Sequence, residues 1–301
     1  MRLGMSGGSS SVERVVEQAR RAEEDGFTSL WFPGAVAGDP LVAMVLAGRA
    51  TTTLELGTSV LQTYPCHPTL QANRVAAAWS AMGRDGLVLG VGPSHEPAVA
   101  GTLGLSYARP GQHTEEYVGA LTALLRGERV DLDGEELTVR AQGTAAHVPV
   151  LVGALGPRLL RVAGELTEGT ITWMANARAL ATHVVPRLVG AATGARRPSP
   201  RVVAGLPVAV HDDVDEARAA ARAQFGFYGS LPNYQRILAH GDLAEAADAA
   251  VVGDEAAVGR QIEALFEAGA TDVWAAVFPV GDDRGASRDR TRRLLATLAA
   301  S

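Results

Sequence analysis

The sequence predicts an α/β fold, a (β/α)8 barrel of the TIM type with insertions, on three observations. Short apolar runs rich in Val and Leu alternate with amphipathic segments from end to end. One stretch, Leu54 to Ser94, spells out a complete βαβ unit. A length of 301 residues, 47% of them apolar and 20% charged, suits one barrel of ordinary size. Within the βαβ unit, LELGTSVL and GLVLGVGPS read as nearly continuous apolar runs, as parallel strands buried on both faces do, and PTLQANRVAAAWSAM between them carries apolar residues at helical spacing. An open doubly wound sheet is the competing fold. Its dinucleotide fingerprint belongs in the first βα unit, where Gly4, Gly7 and Gly8 are wrongly spaced for it.

MRLGM is the first strand, and Ser6 to Ser11 a polar loop ending in a serine N-cap. A helix from about Val12 to Asp25 follows, with Val12, Val15, Val16 and Ala19 on one face, and Gly26 stops it. FTSLWF is the second strand; Asp39 and Pro40 take the cap and first-turn positions of the next helix. After the central unit, which supplies strands three and four, a long connection leads to a helix starting near Pro110. RVDLDGEELTV, with Asp133 and Gly134 between alternating residues, has the signature of a tight hairpin. PVLVG is the fifth strand, GTITWM the sixth, RVVAGLPVAV the seventh and TDVWAAVFPV the eighth. Asp212 and Asp213 open the helix after the seventh strand, Asp254 caps a later one, and Ser287 to Ala300 form the closing helix. The chain reads as one domain, residues 1–301, with a hairpin insertion near 129–140 and a helical insertion near 226–253.

Composition excludes several chemistries. The 27 basic residues are all arginine, so Schiff-base and pyridoxal mechanisms and a phosphate-loop lysine are ruled out. The seven histidines are scattered singly and no His-Glu-x-x-His helix occurs, so no metal site is expected. Catalysis then falls to a bound organic cofactor. A net charge of -6 without long like-charged runs argues against nucleic acid or an anionic membrane as partner. The single cysteine, Cys66, allows no intrachain disulfide, no signal peptide is evident, and no apolar run reaches the ~18 residues that span a bilayer. A cytoplasmic setting is expected.

In a barrel of this kind the chemistry sits at the C-terminal ends of the strands. VLVGALGPRLLRVAGE places Gly153 and Gly156 in a tight turn and Pro157 at the first helical position, where its missing N–H costs nothing. The free amides of that helix start, near Arg158 and Arg161, make a phosphate seat; the plainer reading is that Gly-Pro merely starts a helix. GTSVL offers small residues and a possible bulge on which a flat ring can lie, or is ordinary buried strand. GVGPSHE ends a strand irregularly and presents Ser94 and His95, the latter either catalytic or a hydrogen-bonded structural residue.

Together LELGTSVLQTYPCHP, HPTLQANRVAAAWSAMGRDGLVLGVGPSH, YARPGQHTEEYVGAL, PVLVGALGPRLLRVAGELTEGTITWM and RVVAGLPVAV resemble the bacterial luciferase-like superfamily, and more closely its actinobacterial deazaflavin (coenzyme F420) dependent oxidoreductases. The resemblance implies a deazaflavin ring on a bulge of the third strand, with a non-prolyl cis peptide between Ser59 and Val60. It implies that Thr58, Ser59, Val60, Gly92 and Ser94 line the ring, and that Gly153, Ala154, Leu155, Gly156 and Pro157 hold the cofactor tail. Some sugar-phosphate relatives carry a second-strand histidine and a fourth-strand glutamate. Here Gly34 and Ala35 replace the first, and His95 stands roughly where the second would be.

Without a second-strand base, reduction of an activated C=C or C=N bond is expected, with His95 as proton donor near its ordinary pKa of ~6.5. Tyr107, Arg109 and Trp173 are expected to contact substrate or cofactor; Arg109 alternatively pairs with Glu115 or Glu116. The loops Ser94 to Arg109 and Phe225 to Asp242 shape specificity. An FMN-dependent monooxygenase using molecular oxygen and a non-catalytic cofactor-binding protein are the alternatives. The partners expected are a small-molecule substrate and a second copy of the chain, through the helices after strands two and three.

Overall fold

A computed structural model of the chain describes residues 1–34 and 38–300. Eight parallel strands close into a barrel: β1 (Leu3–Ser6), β2 (Ser29–Phe32), β3 (Glu55–Thr58), β4 (Leu87–Gly92), β5 (Val150–Gly153), β6 (Gly169–Trp173), β7 (Arg201–Val210) and β8 (Asp272–Val277). Each pairs with the next, and β8 pairs with β1 through Leu3 opposite Val273. Their uninterrupted apolar character follows from burial on both faces, inward on the barrel axis and outward on the helices. The interior is filled by Trp31, Val88, Leu151, Ile171, Val203 and Trp274. Two indoles fit because glycine lies beside each: a Cβ on Gly57 would collide with Trp31, and one on Gly205 with Trp274.

The ring of helices comprises α1 (Val12–Glu24), α2 (Pro40–Arg49), α3 (Pro68–Met82), α4 (Pro110–Leu125), α5 (Pro157–Leu166), α6 (Val185–Gly194), α7 (Val214–Phe225), α8 (Pro232–His240), α9 (Glu255–Glu267) and α10 (Arg284–Ala299). Side chains cap them where an oxygen can reach the free amides: Ser11 accepts from Arg14, Asp39 from Leu41, and Asp254 from Ala257. Among the described residues no helix is long and apolar enough to cross a membrane. No group of three or more His, Cys, Asp or Glu is arranged to hold a metal ion among those residues.

At the N-terminal ends of the strands, Asp272 is 1% exposed and accepts from Arg2 Nε at 2.7 Å and Arg201 Nη2 at 2.7 Å. Arg201 also reaches Glu55 at 2.7 Å. Burial pushes the Asp272 carboxyl up, but Arg201, Thr271 and Arg2 outweigh it and hold the group below its ordinary range. This cluster joins β1, β3, β7 and β8 at the barrel floor.

Four elements differ from the sequence reading. GTSVL is not one strand: β3 ends at Thr58, a cis peptide links Ser59 and Val60, and Leu61–Gln62 resume pairing with Val91 and Gly92. The hairpin Arg129–Asp133 with Thr138–Gln142 turns through four residues, not on Asp133-Gly134, because the amides of Glu135, Glu136 and Leu137 all donate to the Glu116 carboxylate of α4. The end of the segment read as helical, Val251–Gly253, is a strand paired with Val208–Val210. The closing helix starts at Arg284, since Asp283 caps it by accepting from Ala286.

Candidate cofactor and substrate site

The bulge after β3 is built by close backbone approach. Gly90 allows it: a Cβ there would collide with the Thr58 carbonyl. Thr58 is fully buried and locks the two strands by donating to Gly90 O at 2.7 Å and accepting from Gly90 N at 2.9 Å. From the other side, Ser59 N donates to Phe32 O at 2.7 Å. The Val60 side chain then lies between Gly92 and Gly153, whose added Cβ atoms would sit 3.0 Å and 3.4 Å from it. A Cβ on Gly34 would stand 2.9 Å from Val60 O, so the bulge occupies the space a second-strand histidine would need. Ala35 lies outside the described residues.

Above this platform opens a cavity of about 1260 Å3, large for a small-molecule site and roomy enough for a tricyclic ring beside a second ligand. Ser59, Val60, Gly92, Ser94, His95, Tyr107, Gly153, Leu155, Gly156, Pro157 and Trp173 all line it. At one edge α5 begins at Gly156, extended at φ -98° and ψ 160°, with no side chain capping the helix and open space where a Cβ would stand. Uncapped first-turn amides next to a cavity suit an anion. Leu155, just before, is fixed through its carbonyl by the His183 imidazole at 2.8 Å; since a carbonyl only accepts, Nε2 carries the proton. His183 in turn stacks on His240 with ring centres 3.7 Å apart.

Three residues expected in the site lie elsewhere. Thr58 is spent on the Gly90 latch. Ala154, 0% exposed, faces the helix layer. Arg109 points to the hairpin and pairs with Glu135 and with Glu136 at 2.6 Å, not with Glu115 or Glu116; Glu116 is committed to the hairpin amides and Glu115 to Arg158 at 2.8 Å and Arg161 at 2.7 Å.

His95 is half-buried at the rim, its ring 5.6 Å from that of Tyr234. Burial lowers its pKa below 6.5, a correction to the ordinary value expected from sequence. Ser94 before it takes a left-handed φ of 64°, and Tyr107 donates its phenol to Ser94 O at 2.8 Å, closing the loop over the rim. The opposite wall is aromatic. Trp173 stacks on Trp274 at 5.2 Å and meets Phe225 at 5.9 Å and Tyr228 at 6.0 Å edge-on; Tyr228 meets Tyr234 at 4.7 Å. Trp274 was not singled out from the sequence, where TDVWAAV reads only as strand. The glycine in RVVAGLPV, which makes room for its indole, was the available signal.

A family model described as luciferase-like monooxygenase matches residues 1–272. Among curated proteins, a 5,10-methylenetetrahydromethanopterin reductase of Methanolobus tindarius is 26% identical over 224 residues, covering 73% of this chain and 68% of that protein. Among solved structures, an F420-dependent secondary alcohol dehydrogenase in complex with an F420-acetone adduct superposes with a TM-score of 0.77 at 19% identity, over 97% of each chain. The oxygenating constituent of a Pseudomonas putida 3,6-diketocamphane monooxygenase, in complex with FMN, does so at 0.71 with 16% identity, over 100% of this chain and 98% of the other. The barrel is therefore shared by proteins that hold either ring system.

Proposed function

Since the chain belongs to the luciferase-like monooxygenase family, and is an oxidoreductase of that family, we propose that it is a coenzyme F420-dependent reductase of an activated C=C or C=N bond. The observation that carries this reading is the pairing of a glycine-flanked platform with an uncapped helix start at the edge of one cavity. Gly92, Gly153 and Val60 leave a surface on which a planar heterocycle fits, and the amides after Leu155 face an anionic tail. Reduced F420 held by these residues would supply the hydride, and with it the two electrons that the reduction needs. His95, the one imidazole lining the cavity among the described residues, delivers the balancing proton to the atom that does not receive hydride. Tyr107 and Ser94 hold the His95 loop in place, and the aromatic wall keeps water from the reacting bond.

Titration of the apoprotein with F420 and with FMN tests the cofactor: F420 binds at micromolar strength and FMN does not. Tight FMN binding with oxygen-dependent turnover would replace this reading by the monooxygenase alternative. His95→Ala lowers turnover and leaves F420 affinity nearly unchanged; lost binding with unaltered turnover contradicts the role. The same proposal includes a cytoplasmic homodimer, formed where Val42 and Leu46 on α2 and Leu70 on α3 are 57%, 45% and 55% exposed. Sedimentation of Leu70→Glu as a monomer, against a wild-type dimer, is the expected result.

A further inference from the structure

The cavity walls carry charge that the platform and the tail seat do not use. The chain has a net charge of -6, yet among the described residues Arg14, Arg21, Arg158, Arg236, Arg288 and Arg292 line the cavity against one acidic residue, Asp289. Arg158 is tied to Glu115, Arg21 to Asp289 at 3.5 Å, and Arg292 to Asp25. Arg14 and Arg288 have no acidic partner among the described residues, and both are exposed. They stand on α1 and α10, the helices after β1 and β8, on either side of a seam in the helical ring. Met5 and Leu30 supply apolar lining on β1 and β2, beside the polar Ser6, Ser9 and Gln18.

Position decides which ligand these arginines serve. The tail seat follows β5, and in a closed ring of eight strands β1 lies across the barrel from β5. A cofactor lying from the β3 bulge to the β5 seat leaves the β8–β1 side free. Between the platform and the seam runs the aromatic wall of Trp173, Tyr228 and Tyr234, and His95 stands 5.6 Å from Tyr234. Resting on the reductase reading above, we propose that the substrate is an anionic amphiphile: its flat unsaturated head lies on Trp173, Tyr228 and Tyr234 beside His95, and its carboxylate or phosphate reaches Arg14 and Arg288 through the seam, past Met5 and Leu30. Stacking selects a planar head, the apolar lining of Met5 and Leu30 selects a hydrocarbon spacer, and the guanidinium pair selects the anion.

Calorimetric titration without turnover tests this, using ω-(2-naphthyl)alkanoic acids of increasing chain length, their N-methylamides and the matching naphthylalkyl phosphates. At one chain length the acid binds roughly tenfold tighter than its amide. In the double variant Arg14→Ala, Arg288→Ala the acid falls to the affinity of the amide, while F420 affinity, measured on the same preparation, stays unchanged and certifies the fold. Tyr228→Ala weakens acid and amide alike. Phosphate binding tighter than carboxylate assigns a phosphorylated substrate, and equal binding a carboxylic acid. Acid and amide binding alike at every length, or a preference that survives in the double variant, overturns the proposal. F420 titration separately tests the reductase reading, so a protein that prefers the acids but ignores F420 sinks that reading alone.

Discussion

Thr58→Val probes the joint that holds the bulge. Valine keeps the shape of threonine but removes a hydroxyl that is fully buried, donates to Gly90 O and accepts from Gly90 N. The bond itself contributes about 1 kcal/mol net, and leaving the Gly90 amide unpaired adds about 1–3 kcal/mol of desolvation. The loss is therefore about 2–4 kcal/mol, which, at about 2.1 cal/mol/K per residue over 301 residues, lowers the melting temperature by roughly 3–6 °C. Thr58→Ser retains both hydrogen bonds and gives up one methyl group, costing about 1 kcal/mol. Differential scanning calorimetry on the three proteins ranks them wild type, Ser, Val. Because the latch sets where β3 stops, F420 affinity follows the same order. A valine variant as stable as wild type, or a serine variant as weak as valine, would refute the latch.

The rate of reduction should fall as pH rises through a value below 6.5, because burial disfavours the protonated His95 that donates; a flat kcat/KM profile between about pH 5 and 8 contradicts the donor role. Gly156→Asp fits the extended backbone and open space at the head of α5 and caps it, adding a few tenths of a kcal/mol of stability. Its carboxylate repels the anionic tail, so F420 affinity drops at least about tenfold by titration. Asp272→Asn costs about 3 kcal/mol near neutral pH by removing the charge that Arg2 and Arg201 face. The folded Asp272 pKa lies below 3.8, so the wild-type advantage is present above that value and disappears as pH falls through the folded pKa. Denaturation curves of the two proteins should accordingly converge in acid.

What could be read from the sequence was local. The eight strands announce themselves because double-sided burial demands unbroken apolar runs, and Ser11, Asp39 and Asp254 sit one residue before the helices whose amides they cap. Contacts between distant residues could not be read this way. Glu115 and Glu116 are near Arg109 in sequence, and only the fold decides: Glu115 is taken by Arg158 and Arg161 and Glu116 by three hairpin amides, while Arg109 pairs with Glu135 and Glu136 of the hairpin. Burial lowers the pKa of His95, and one ring beside it, that of Tyr234, lies 139 positions away by residue number. Likewise Val251–Gly253, short and preceded by Ala249 and Ala250, looks helical until β7 offers it an edge to pair with.

The ionic joint on the barrel floor has a consequence for biosynthesis. Arg2 and Glu55 are made before the carboxylate that Arg2 and Arg201 share, which arrives with Asp272, 217 residues after Glu55. Until the ribosome has released that segment, β1 has only β2 beside it and its other edge is bare. The cylinder is thus sealed by its eighth strand, and a nascent chain truncated before residue 272 exposes the edge of β1 to chaperones or to a neighbouring polypeptide.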